Sequence, residues 1–270
     1  MAERAVHPSS VVEDGASIGE GCRIGPFCHI GPEVTLGSDC RVLSHASIMG
    51  RTTIGAGTVV HPTAVIGGEP QFLGYDGGVT ELEIGERCII REGVTISTGI
   101  PSFGGVTRVG RECLILANAH VAHDCQLGDN VILVNACELG GHVRIGDRAF
   151  VSSNVLIHQY TRIGRNAFIG GGTPVKEDVI PFGMANGNPG RLHGLNVIGM
   201  RRAGFSSDVI RKTRQAYRVL FSGEVTLQEG VQQVEAEFAD IATVRDMIEF
   251  IKARGDRPIC APERSVRANG

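Results

Sequence analysis

Tryptophan is absent from this chain and tyrosine occurs only three times in 270 residues, so its interior must be filled mostly by aliphatic side chains. Neither sign of charge dominates: 26 Lys and Arg against 29 Asp and Glu leave a net charge of -3, with a pI near 6.3. That balance provides no sequence-wide attraction for nucleic acid or an anionic membrane surface. Long apolar runs are also missing. No stretch approaches the roughly 18 apolar residues of a membrane span, and the opening MAERAVHPSS has no hydrophobic segment behind its charges. The expectation is a soluble cytoplasmic protein without membrane insertion. Cysteines in CxxC spacing are lacking, which removes the usual mark of a zinc or dithiol redox site. What the chain has in excess is glycine, 38 residues, which points to many tight turns and prompts a search for repeats.

The repeat is six residues long. Stepping by six from Val6 meets Val12, Ile18, Ile24, Ile30, Leu36, Val42, Ile48, Ile54, Val60 and Ile66, all aliphatic. Phe72 and Gly78 break the series, which resumes at Ile84, Ile90 and Ile96. After a slip of one across STGIPSFGGVTR, a second series runs unbroken from Val109 to Val175. A period of six fits neither the helical 3.6 nor the alternation of a long strand; it describes a short strand and a sharp corner repeated, the hexapeptide pattern of a parallel β-helix. Three hexads close a triangular coil of eighteen residues, and coils stacked at about 4.8 Å put each residue above the one eighteen positions earlier. The aliphatic residue of each hexad builds the core column, and the glycine that often follows it, as in Ile18-Gly19, is expected to provide backbone freedom at the corner. Segments near 67–83 and 97–108 are expected to leave the coil as excursions.

Cys22, Cys28, Cys40, Cys88, Cys113, Cys125 and Cys137 all fall four residues after an aliphatic start, where the repeat takes a second, smaller inward side chain. They are expected to be reduced core thiols. The period ends in KEDVIPFGMANGNPGRLHGLN, which reads as a linker. Amphipathic stretches at SSDVIRKTRQAYRVLF, LQEGVQQVEAEFAD and IATVRDMIEFIKARG follow, then PICAPERSVRANG, expected to be a loose tail. The fold class is therefore mainly β: a parallel β-helix over residues 1–190 and a small C-terminal α-helical domain with tail over 191–270.

Stacking gathers histidines. His123, His142 and His158 follow starts at Val121, Leu139 and Ile157, eighteen apart and so on one corner line, and His120 precedes Val121. Metal binding is one reading, but zinc needs three or four convergent donors. The β-helical carbonic anhydrases carry two histidines five positions apart, a spacing no pair here has. No metal and no cofactor is assigned. The other reading is a general base: imidazole titrates near neutrality and can take a proton from a hydroxyl, and Asp124, adjacent to His123, can orient the ring.

HPSSVVEDGASIG at 7–19, NAHVAHDC at 118–125, LGGHVRIGD at 139–147, IHQY at 157–160 and GLNVIGMRRAGFS at 194–206 together resemble the bacterial UDP-N-acetylglucosamine 3-O-acyltransferases that begin lipid A synthesis. NAHVAHDC followed by a coil with GGH and one with HQ is far more specific than the hexads alone. The resemblance implies a left-handed coil, a homotrimer with sites between prisms, and two substrates: a nucleotide sugar and a 3-hydroxyacyl thioester on acyl carrier protein. It implies that His123 is the base, supported by Asp124, and that the backbone N–H of Gly141 is the oxyanion donor. His120, His142, His158 and Gln159 would line the sugar and acyl chain, Gln71 would join the substrate contacts, and Asn196 and Arg202 would hold the nucleotide. Gly171 matches a position that limits acyl length, where glycine favours a longer chain. Arg201, Arg202, Arg211, Lys212, Arg214 and Arg218 against Asp208 would attract the acidic carrier protein.

The chain departs from that family at two places. PQFLGY at 70–75 puts Phe72 and Gly74 where the family usually has aspartate and lysine, and Ser97-Thr98-Gly99-Ile100 stands where relatives carry histidine or asparagine before RGT. Acceptor recognition is thus expected to differ more than the chemistry. A paralogue acylating another nucleotide sugar, at a hydroxyl or an amine, is the alternative, followed by a metal-dependent hydratase or a noncatalytic scaffold.

Overall fold

The computed structural model describes residues 5–253 and 255–263. Short strands, most of them two residues long, wind through tight turns into three sheets of eleven, nine and eight strands, the three faces of a prism, parallel throughout except for the last strand of the eleven. The lap is eighteen residues: Ala5 pairs with Arg23, Val11 with His29 and Ser17 with Thr35. In each pair of strand residues the second is the aliphatic start, and from Ile24 to Val175 these are all buried. Near the excursions the pairing lengthens: Val65 pairs with Thr95, thirty residues on, and Ile84 with Val109, twenty-five on. The additional residues are looped out between Gly68 and Glu81 and between Ser97 and Val106, while the sheets run on without a break.

The cysteines are free thiols and all are buried. Burial pushes the Cys125 and Cys137 thiols up to about 12, so they pack as small hydrophobes. Glycine has a different job from the one its sequence position suggests. The left-handed corner lies three residues after most aliphatic starts and is filled mostly by other residues, including Asp39, Asn130, Asn154 and Asn166. Asn and Asp tolerate this conformation better than most side chains. The glycine directly after the aliphatic residue is needed for closeness: a Cβ on Gly19 would lie 2.6 Å from the Gly37 carbonyl carbon one coil above.

Regular β structure continues past residue 190, because Arg191–Leu195 pairs antiparallel with Gly183–Asn186 as the last strand of the eleven-stranded sheet. Four helices follow: α1 (Val197–Arg202), α2 (Ser207–Leu220), α3 (Leu227–Phe238) and α4 (Ala242–Lys252). Ser206 caps α2, and Thr226 with Glu229 forms a reciprocal capping box at α3, which explains where both begin.

The segment after α4 is not loose where it is described. Ile259 bridges Asp178 in parallel, Asp178 N–H donates to Pro258 O and Cys260 N–H to Asp178 O, both at 2.8 Å. The rest of the expected tail, residues 264–270, lies outside the described residues. Asp178 is itself the junction. Its carboxylate is fully buried, accepts from Arg162 N–H and Nε at 2.7 Å each, and is pushed up by burial against the opposing pull of those bonds. Arg162 also donates to Phe250 O and lies over the Phe250 ring at 4.3 Å, tying the last coil to α4. Removing one partner of a buried pair leaves the other charge uncompensated. Asp178→Ala is therefore expected to lower stability by about 3 kcal/mol, read by chemical denaturation followed by circular dichroism; a loss below about 1 kcal/mol would show that the junction holds without the pair.

Candidate active site

The corner after Val121 carries the site. His120–Val121 is a strand of the nine-stranded sheet, paired with Thr95 and Ile96 below and Glu138 and Leu139 above. His123 and Asp124 form the turn that follows, with Asp124 in the left-handed conformation at φ 58°. His142 and Tyr160 occupy the same left-handed position one and two coils higher, so three side chains rise in a column. The imidazole of His142 and the ring of Tyr160 stack in parallel at 4.4 Å between centroids.

Asp124 is 6% and His123 8% exposed, and the two are joined by an Nδ1–Oδ2 hydrogen bond of 2.9 Å. The Asp124 carboxylate also accepts from the backbone N–H of Ile100 at 3.1 and 3.2 Å, and its own N–H donates to Thr107 Oγ1 at 2.8 Å. An ionised carboxylate only accepts, so Nδ1 of His123 must donate and Nε2 is left with a lone pair. Gly141, one coil above, lies against that ring. A Cβ there would be 2.4 Å from His123 Cε1 and 2.6 Å from Nε2, so only glycine leaves the imidazole room.

His120 and His142 both sit below the ordinary histidine range because burial disfavours their charged forms; for His142 the Asp124 carboxylate pulls the other way. His120 Nδ1 is 2.7 Å from Thr95 Oγ1. Both rings are thereby suited to serve as neutral hydrogen-bonding groups at neutral pH. His123, Asp124 and His142 are the one trio among the described residues with side-chain atoms close enough to share a cation, all within 4.8 Å. The Asp124 oxygens are already engaged by His123 and Ile100, and His142 Nε2 is 4.0 Å from Oδ2. The trio fits a hydrogen-bonded relay better than a coordination shell, which would need donors at about 2 Å around one point.

A cleft of about 640 Å³ opens on His123. Its wall brings together Gln71, His120, His123, Gly141, His158 and Gln159 from the expected set, with Phe72, Glu138 and Lys176 in addition. Asp124 and His142 face a neighbouring hollow with Phe103, on the other side of the corner. Three expected residues lie elsewhere in the single chain. Gly171 follows Ile169, on the eleven-stranded face, and packs near Ser153. Asn196 caps α1 by accepting from Gly199 N–H at 2.9 Å and donates to Asn166 O at 3.0 Å, and Arg202 is exposed near the end of α1.

Several contacts were outside the reach of sequence reasoning. Phe72, from the first excursion, packs on the His123 ring at 5.7 Å, and Phe103, from the second, stands edge-on to His142 at 4.8 Å. The two phenyl rings meet each other at 6.5 Å. Neither excursion follows the repeat, so no register predicted where its rings would land. Tyr160 was within reach, since it lies eighteen residues after His142.

Stacked hexad coils define a hexapeptide-repeat protein, and a family profile for bacterial transferase hexapeptide repeats matches residues 107–141. A second profile, for domain 2 of UDP N-acetylglucosamine O-acyltransferase, matches residues 178–260. The acyl-[acyl-carrier-protein]–UDP-N-acetylglucosamine O-acyltransferase of Agrobacterium fabrum is 51% identical over 264 residues, 97% of each chain. That of Sinorhizobium fredii is 51% identical over 259 residues, 96% of each. The crystal structure of a UDP-N-acetylglucosamine acyltransferase from Bacteroides fragilis superposes with a TM-score of 0.91 at 35% identity, covering 94% of this chain and 99% of that one. The chain belongs to the acyl-[acyl-carrier-protein]–UDP-N-acetylglucosamine O-acyltransferase family, and its β-helix is of the left-handed hexapeptide type.

The Gly141 contact can be checked directly. Gly141→Ala should displace the His123 ring in a crystal structure of the variant and cost about 1–3 kcal/mol of stability through overpacking. An unmoved ring with unchanged stability would mean the coil has slack at this point.

Proposed function

We propose that this cleft transfers a 3-hydroxyacyl group from acyl carrier protein to the 3-hydroxyl of UDP-N-acetylglucosamine, the first step of lipid A biosynthesis. The observation that carries the reading is the orientation of His123, whose Nδ1 is bound to a fixed carboxylate while Nε2 lies against Gly141 of the next coil. Nε2 takes the proton of the sugar hydroxyl as its oxygen attacks the thioester carbonyl. The tetrahedral intermediate places its oxyanion on the Gly141 N–H, a donor that is already in place and needs no reorganisation. Collapse breaks the carbon–sulfur bond, and the imidazolium returns the proton to the departing thiolate of the carrier. Asp124 keeps its hydrogen bond to Nδ1 and stabilises the imidazolium.

Gln71, His120, His158 and Gln159 supply polar contacts along the cleft, and Lys176 is a cation on the same wall. Phe72 replaces a family carboxylate with an aromatic face against the base, so the acceptor is held here by hydrogen bonds and packing more than by ion pairs. Gly171, Asn196 and Arg202 lie away from the cleft of one chain, which supports a homotrimer in which a neighbouring prism completes each site. In that assembly Gly171 leaves room for a longer acyl chain. The amide of Asn196 is already engaged in capping α1, so Arg202 is the less encumbered nucleotide contact of the two. Arg201, Arg211, Arg214 and Arg218 line one hollow on α1 and α2, a surface that would steer an acidic carrier protein. A cytoplasmic location accords with both substrates.

Incubation with nucleotide sugars and acyl carrier thioesters, read by product mass, is expected to give O-acylated UDP-N-acetylglucosamine, with His123→Ala slowed by roughly a hundred- to ten-thousandfold. Normal turnover in that variant, or acylation only of a different sugar nucleotide, would contradict the reading.

A further inference from the structure

One contact reaches the cleft from outside the β-helix. Arg257, in the segment after α4, places Nη2 2.7 Å from Nδ1 of His158 and Nε 3.0 Å from the carbonyl oxygen of Gln159. The guanidinium therefore grips two consecutive residues of the coil directly above Gly140 and Gly141. Its own segment is anchored: Asp178 N–H donates to Pro258 O, the next residue, and Cys260 N–H to Asp178 O. His158 and Gln159 both line the cleft that holds His123.

A guanidinium has five donors and no acceptor. Its approach to Nδ1 requires a lone pair there, which puts the ring proton of neutral His158 on Nε2. The 3.2 Å separation between His158 Nδ1 and Gln159 O could be read as the opposite tautomer, with Nδ1–H donating to that carbonyl. That arrangement would point one N–H at another across 2.7 Å. The carbonyl already has a donor in Arg257 Nε, so the short Nδ1–O distance follows from both atoms being held by one planar fork.

We infer that Arg257 is a positioning residue that locks His158 as the Nε2–H tautomer, turning it into an obligatory hydrogen-bond donor toward a substrate oxygen in the acyl-transfer cleft. His123 is fixed by a carboxylate as the Nδ1–H tautomer and works as an acceptor of protons; His158 is fixed by a cation in the opposite tautomer and works as a donor. The kinetic part of this inference rests on the cleft being the acyl-transfer site, whereas the tautomer does not.

The test separates the two. Long-range nitrogen–proton spectra of 15N-histidine-labelled protein without substrate, with the His158 signals assigned by their loss in His158→Gln, are expected to show the Nε2–H form. In Arg257→Met the same signals should move toward a tautomer mixture. Arg257→Met should lower kcat/KM about fivefold, the scale of one net hydrogen bond, with Arg257→Lys, which offers a charge but no fork, falling between. In a His158→Ala background Arg257→Met should have less than about a twofold further effect, as for residues acting through one contact. An Nδ1–H signal for His158 in the unaltered protein would overturn the clamp without bearing on the reaction. Equal losses from Arg257→Met in both backgrounds would overturn its action through His158. If Arg257→Met melts early by circular dichroism, the spectrum of the unaltered protein still decides.

Discussion

Every functional contact in this molecule depends on the length of one lap. Parallel pairing at a register of eighteen residues fixes which corner lies above which, and the buried aliphatic column makes that register costly to change. A slip of one residue would turn the inward side chains out and carry His123 away from Gly141. The two excursions are tolerated because they leave the coil and rejoin it in register, with Val65 over Thr95 and Ile84 over Val109. The fold therefore behaves as a ruler: it converts distance along the chain into position along an edge.

The corner is also where polar chemistry costs least in core packing. Strand residues alternate between the buried column and the outer face, but turn residues face outward at the prism edge and repeat with the same spacing. Asp124, His142 and Tyr160 share the left-handed position of successive laps, which stacks the His142 ring on Tyr160 and sets its Nε2 4.0 Å from Asp124 Oδ2. The two looped-out segments then cover this edge. Ile100 brings its N–H to Asp124, and Phe72 and Phe103 lay apolar rings on the imidazoles. A half-dry, hydrogen-bonded corner strengthens the pairing of His123 with its carboxylate relative to the same pair in water.

The hexad period alone was enough to read the coil, its eighteen-residue lap and the meeting of His120, His123, His142 and His158 along one edge, since each follows from arithmetic on aliphatic positions. The cysteines were legible for the same reason. Other features were not. The division of that edge into two hollows, with His142 facing away from His123's cleft, depends on which side of a turn a rotamer falls. Glycine after the aliphatic residue suggested turn freedom, yet the need is for clearance between coils, which only stacked coordinates reveal. Phe72 and Phe103 sit in segments without period, and Arg257 reaches His158 across ninety-nine positions. Long-range contacts from irregular segments leave no spacing to read. Gly171, Asn196 and Arg202 rest on the family resemblance alone, and no register within the chain brings them to this corner.

The corner delivers His123 with Nδ1 protonated and Nε2 available, because Asp124 accepts from both the ring and Ile100 N–H. Asp124→Asn keeps size and burial but supplies one acceptor oxygen in place of two, so an amide N–H faces Nδ1 and the ring proton moves to Nε2. Single-turnover acyl transfer by this variant is the most direct measurement. A loss of at least about a hundredfold with an unchanged melting temperature is expected; transfer within twofold of the unaltered protein would mean that Asp124 does not set the tautomer of the base.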